Sequence, residues 1–118
     1  MRAKDAVGSF GEQVAVRHLE EAGLTVVARN WRCDIGEIDI VAVDGPTVVI
    51  CEVKTRSGLG FGSGLEAVTR QKTARLRRLG HRWLAENAPP GFGLRFDVLA
   101  VHRPRRGAAV VEHVRGAF

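Results

Sequence analysis

Hydrophobic and polar positions alternate along this chain with two different periods, and the switches between them mark out its elements. Val7, Phe10, Val14, Ala15, His18, Leu19 and Ala22 fall on one helical stripe and Gly23 follows as a stop, which predicts a helix over 5–22. Three β-prone stretches come next, over 24–31, 35–43 and 48–55. The last two are rich in Val and Ile and are separated by Asp44-Gly45-Pro46-Thr47, so they should form a hairpin with the first as neighbour. The stretch 57–64 holds four glycines in eight residues and reads as a loop. Ser63 stands where the third glycine of a dinucleotide fingerprint would fall, and the P-loop pattern is absent, so it carries no nucleotide reading.

A second helix over 65–87 places Val68, Leu76, Leu79 and Trp83 on one face and Arg70, Arg77, Arg78 and His81 opposite, and it stops before Pro89-Pro90-Gly91. Strands over 94–101 and 109–114 follow, joined by the basic turn Arg103-Pro104-Arg105-Arg106-Gly107. The order is αβββαββ. A long helix between the third and fourth strands makes them parallel neighbours linked by a right-handed crossover, so the sheet is mixed and the fold class is α/β.

With 118 residues, the chain is expected to be a single domain over 1–118. Its 45% apolar and 26% charged residues are the balance of a globular chain. Apolar runs such as Ile40-Val41-Ala42-Val43 are far shorter than the ~20 residues that cross a bilayer. The first residues lack the apolar core of an export signal, so a cytoplasmic location and no membrane are expected. Cys33 and Cys51 are isolated and read as buried or idle thiols. The net charge of +5 is uneven: residues 1–58 hold seven Lys/Arg against nine Asp/Glu, and 59–118 hold eleven against four. A basic half suggests a polyanion partner, which the acidic residues of the same domain would repel unless a cation sat between them.

Strand alternation gives Glu37, Asp39, Val41 and Val43 one face and Ile38, Ile40 and Ala42 the other, while Val48, Ile50, Glu52 and Lys54 share a face of the next strand. A two-residue turn at Asp44-Gly45 would put Pro46 at the first paired position, so a four-residue loop over 44–47 is expected. That register pairs Val43 with Val48, Val41 with Ile50, Asp39 with Glu52 and Glu37 with Lys54. Opposed Cβ atoms lie ~4.5–5.5 Å apart, so Asp39 and Glu52 would be two carboxylates side by side. Three resolutions are open: water screens the pair, Lys54 neutralises it, or a divalent cation is bound there.

The spacing Asp39-x12-Glu52-Val53-Lys54 resembles the PD-(D/E)xK signature of restriction-endonuclease-like nucleases. Further matching residues are Gly11-Glu12, Ala15 and Leu19, Asn30-x-Arg32, the run Gly36 to Ala42 (GEIDIVA), Glu52 to Arg56 (EVKTR), Ala67-Val68, Lys72, Arg95-Phe96-Asp97-Val98 and Ala117-Phe118. Through these the whole chain resembles the YraN family, small bacterial proteins classed with Holliday-junction-resolvase-like nucleases. The resemblance implies a restriction-endonuclease-like sheet flanked by helices. It also implies an active-site set of Glu12, Asp39, Glu52 and Lys54, with Asp39, Glu52, Glu12 and the Val53 backbone carbonyl around Mg²⁺ or Mn²⁺.

Carboxylates are hard ligands suited to those ions. A cation there would neutralise them and activate water for attack on phosphorus, with Lys54 steadying the developing charge and, by resemblance, a 5′ phosphate as product. Glu37 is an ion-pair partner for Lys54 or a second ligand. Lys72 lies in the apolar stripe of its helix, pointing toward the sheet, where it either snorkels or reaches the site. Arg56, Arg70, Lys72, Arg77, Arg78, Arg103, Arg105 and Arg106 are candidates for nucleic-acid contact. Gln71 has a weaker claim of the same kind, His18 and Trp31 read as core residues, and Asp97 as a strand-end hydrogen-bonding group.

The function expected is therefore an endonuclease acting with Mg²⁺ or Mn²⁺ on structured DNA, branched forms included, and a homodimer if two symmetric cuts are needed. Alternatives are a non-catalytic nucleic-acid-binding or scaffolding module with the same fold, and a nuclease directed at RNA.

Overall fold

The first helix, α1 (Ala6–Glu21), ends as its pattern predicts. Leu24 N–H donates to the Leu19 carbonyl at 2.9 Å and Gly23 N–H to that of Glu20 at 3.0 Å, the paired closure that turns the chain off a helix, and Leu19 and Leu24 meet in the same apolar cluster. The chain then forms β1 (Thr25–Arg32), β2 (Glu37–Asp44), β3 (Thr47–Ser57), α2 (Arg70–Asn87), β4 (Gly93–Arg103) and β5 (Val110–Val114). In this computed structural model residues 6–57 and 70–118 are described, so the expected loop over 57–64, all but its first residue, and the first turn of the second helix with Val68 lie outside them.

The αβββαββ order holds, and the five strands form one sheet in the order β1-β2-β3-β4-β5. β3 and β4 pair in parallel across α2, and every other neighbouring pair is antiparallel. Apolar side chains cover both faces. Ala15 and Leu19 of α1 pack with Ile40, Ala42, Val49, Cys51, Leu99 and Val101. Leu76, Leu79 and Trp83 of α2 pack on the other face with Ile38, Val41, Val48, Ile50 and Phe96. Trp31 is spent on this second cluster.

The β2–β3 hairpin keeps the expected register, with Val43 opposite Val48 and Val41 opposite Ile50, but its turn is tighter than the four-residue loop expected. Asp44 pairs with Thr47, leaving only Gly45 and Pro46 in the turn. Gly45 takes φ +59°, a conformation other residues reach at a cost, and Pro46 sits inside the turn where its missing N–H closes no ladder bond. α1 approaches β3 closely at Gly11, where a Cβ would fall 1.9 Å from Thr55 Oγ1. The neighbouring Glu12 is buried.

A polar chain runs from the sheet to α1. Asp97 lies in the middle of β4 with no exposed surface, not at a strand end as expected. Its two oxygens accept from Arg95 Nε and Nη2 at 2.9 and 3.0 Å, from Gly116 N–H at 3.0 Å and from His113 Nε2 at 2.8 Å. His113 Nδ1 meets His18 Nε2 of α1 at 3.1 Å, so His18 is the hydrogen-bonded residue expected. Burial alone would raise the Asp97 pKa, but the bonds from Arg95, His113 and Gly116 outweigh it and hold the pKa below the ordinary value. Burial, and then the His113 and Arg115 charges, lower that of His18 against the smaller opposing influence of Glu21.

Both shifts have the same sign for stability. The unfolded chain takes up a proton at His18 before the folded one does, so stability is lost as pH falls below 6.5, and Asp97 adds a further loss below 3.8. Urea unfolding midpoints should fall between pH 7.5 and pH 5, and His18→Gln should flatten that slope. An unchanged slope in the variant would remove His18 from the account.

Candidate functional site

The β2–β3 ladder runs from the Asp44–Thr47 pair to Ile40–Cys51, short of the expected Asp39–Glu52 and Glu37–Lys54 pairs. Strict alternation also breaks there: Ile38 packs with Val41 on the α2 side, whereas Ile40 and Ala42 pack on the α1 side. The cause is local. Asn30 on β1 has φ +53° between the residues paired with Ile40 and Ile38, and on the other side the Asp39 carboxylate, not the backbone, receives the Val53 N–H at 2.9 Å. Asp39 thus substitutes a side-chain acceptor for a ladder bond where β2 and β3 part.

The parting opens a cleft of about 520 Å³ between the β2 end and α2, lined by Arg32, Glu37, Asp39, Glu52, Lys72 and Arg75 among others. The carboxylates of Asp39 and Glu52 therefore share one cleft, although their backbones are not paired. Glu52 is 8% exposed and is held by two ammonium groups, Lys72 Nζ at 3.0 Å and Lys54 Nζ at 3.5 Å, both on Oε1. Lysine compensation of the acidic pair is present, and it comes from two elements rather than from Lys54 alone.

The pKa values of Lys54 and Lys72 part. Burial, aided by the neighbouring charge of Lys72, lowers that of Lys54. Burial opposes the charge on Lys72 as well, but there the Glu52 carboxylate at 3.0 Å, with Asp39 nearby, prevails and raises it. Lys72 thus reaches the site rather than merely snorkelling.

Glu37 pairs with Arg32 at 3.1 Å, not with Lys54, because the β1–β2 ladder continues to Arg32–Glu37 after the β2–β3 ladder has stopped. Glu12 is 4% exposed on α1 with Arg29 Nη2 at 4.0 Å, and it is not among the residues lining the cleft. Among the described residues, no three His, Cys, Asp or Glu side chains gather closely enough to hold a metal ion, and of the three acids expected together Asp39 and Glu52 line the cleft. The donor set still fits a hard dication. Mg²⁺ is commonly held by one or two carboxylates with its remaining positions left to water and phosphate, and these two carboxylate residues line one cleft.

The expected nucleic-acid contacts divide by position. β3 residue Ser57 lies opposite Arg103, so exposed Arg56, Arg103, Arg105 and Arg106 stand at the end of the sheet toward which Glu52 and Lys54 lie. Arg103 lies 4.8 Å from the centre of the Phe10 ring. Arg70 is exposed at the start of α2, and Arg78 lines a shallow pocket with Gln71 and Arg75. Arg77 is turned toward β4, over the stacked rings of Phe96 and Phe118 at 6.0 and 5.8 Å. Arg32, named in the sequence only within the pattern Asn30-x-Arg32, and Arg75 were not among the expected site residues. Arg75 could have been found, since it stands one helical turn after Lys72 and shares its face. Cys51 is buried beside Asp97, which pushes its thiol pKa up and leaves it inert.

Residues 11–101 match the model of the family described as "Uncharacterised protein family UPF0102". A UPF0102 protein of Beutenbergia cavernae is 63% identical over 98% of both chains, and one of Frankia casuarinae is 58% identical over the full length of both. Among solved structures, Hjc of Archaeoglobus fulgidus, a Holliday junction resolvase, aligns with a TM-score of 0.48 and 18% identity, covering 88% of this chain and 74% of that one. No helix among the described residues is long and apolar enough to cross a membrane. On the family match and full-length relatives of this similarity, the chain belongs to the UPF0102 (YraN) family.

Proposed function

We propose that this protein is an endonuclease that hydrolyses phosphodiester bonds in structured DNA, branched forms included, with Mg²⁺ or Mn²⁺ as cofactor. One observation supports the reading above the others: Asp39 and Glu52 open into a single cleft walled by Lys72, Arg75 and Arg32, so two acids and a set of phosphate-seeking cations line the same space. A dication bound there would polarise a phosphoryl oxygen and make water nucleophilic near neutral pH.

The chain's own residues do the rest. Asp39 and Glu52 supply oxygen ligands, with the Val53 carbonyl between Glu52 and Lys54 as a further one. Lys54 stabilises charge as it builds on the phosphate. Glu12, beside Arg29 on the α1 side, adds negative potential at the same end of the sheet rather than a place in the cleft. Arg56, Arg70, Arg78, Arg105 and Arg106 hold the flanking backbone without reading bases. Arg77, engaged with two rings, is the weakest of the set.

The deciding experiment incubates purified protein with nicked, forked and four-way DNA in Mn²⁺. Cleavage by wild type, lost in Asp39→Asn with DNA binding kept, supports the proposal. Binding without cleavage on every substrate would leave a nucleic-acid-binding module, and cleavage confined to structured RNA would replace DNA with RNA as the substrate.

A further inference from the structure

Glu52 presents an unusual arrangement for a charged pair: two ammonium groups converge on the same carboxylate oxygen, at 3.0 and 3.5 Å. A carboxylate this buried needs a positive partner, because an isolated charge withdrawn from water is expensive. One lysine would satisfy that need, and the second adds repulsion between ammonium groups.

The two lysines are not equivalent. Lys54 follows Glu52 by two residues on β3 and is carried by the same strand. Lys72 comes from α2, lines the cleft together with Asp39 and Glu52, and is the more exposed of the two, at 31% against 20% of the side chain. It makes the closer contact with Glu52 from a flexible four-carbon stem, so it can leave without moving the sheet.

Resting on the hydrolase reading above, we propose that Lys72 is a resident counter-ion occupying the seat of the dication on Glu52, and that metal entry displaces it toward substrate phosphate in the same cleft. A dication on Glu52 adds strong repulsion to an oxygen that already holds two ammonium groups, and Lys72, the nearer and more exposed of them, is the one that yields. Phosphate in the cleft offers Lys72 an alternative partner, and DNA binding therefore favours metal binding. By linkage, metal favours DNA to the same degree. Lys72 in this account restrains metal loading until an anionic substrate is present.

The test is calorimetric titration of Mn²⁺ into wild type, Lys72→Met, Lys72→Arg and Glu52→Gln, with DNA affinity measured with and without Mn²⁺. Lys72→Met keeps the stem and removes the charge, and it should bind Mn²⁺ about tenfold tighter than wild type. Lys72→Arg should stay near wild type, and the Mn²⁺-dependent gain in DNA affinity should shrink in Lys72→Met. Lys72→Gln serves in place of Lys72→Met should the latter fold poorly. If Glu52→Gln abolishes Mn²⁺ binding while Lys72→Met binds no tighter than wild type, the exchange is overturned and the hydrolase reading stands. If no variant binds Mn²⁺, both fall together.

Discussion

Glu52→Gln is expected to reduce Mn²⁺-dependent cleavage on the order of 10³-fold or more, while leaving metal-free DNA affinity within about threefold of wild type. The amide preserves the shape of the side chain and removes the charge on which both Lys54 and Lys72 converge. Charge stabilisation by a bound dication amounts to several kcal/mol, and at ~1.4 kcal/mol per factor of ten this gives the magnitude. Metal-free binding should change little because, on the proposed reading, the exposed arginines at the sheet end and along α2 would supply the phosphate contacts. Single-turnover cleavage of a labelled four-way junction, with a gel-shift series on the same preparation, reads both quantities. A variant retaining cleavage within tenfold of wild type would refute Glu52 as a metal ligand.

The second large effect concerns stability. Asp97→Asn should destabilise the domain by on the order of 3–5 kcal/mol and lower Tm by roughly 15 °C, since a fully buried acceptor of four hydrogen bonds becomes half donor. The new amide would face the Arg95 guanidinium, the Gly116 N–H or the His113 ring, and Arg95 would keep only Asp44, at 3.0 Å, as a carboxylate partner. The loss would spread. Asp97 fastens β4 to Gly116 near the C-terminus, whose Ala117 N–H reaches the Phe96 carbonyl at 2.8 Å, and through His113 it reaches α1. Thermal and urea unfolding at pH 7 measure the effect, and a cost below about 1 kcal/mol would show that the network tolerates a neutral centre.

These two residues show how differently the chain disclosed its site and its support. Glu52 stood out because a Glu-x-Lys pair follows an acid at a recognisable interval. Asp97, flanked by Phe96 and Val98, resembled a strand-end polar group, and nothing nearby in sequence announced that His113 and Gly116 would converge on it. Arg75 differs, since its place one helical turn after Lys72 marks the face it shares, but in a helix with so many arginines charge alone does not draw attention to it.

Element order, the fold class, the parallel β3–β4 pair and the Val43–Val48 register were all legible in the amino-acid order, because helical and strand periodicities are local and a hairpin's register follows from its turn. Tertiary structure decided where β2 and β3 separate, that Asp39 would cap Val53, that Glu37 would go to Arg32 and Glu12 to Arg29, and that a lysine from α2 would join the one on β3 at Glu52. Those outcomes depend on which ladder ends first and on which charged tips come within reach once two helices are laid on opposite faces of the sheet. Distances between elements remote in sequence arise only when the core closes, and no periodicity encodes them.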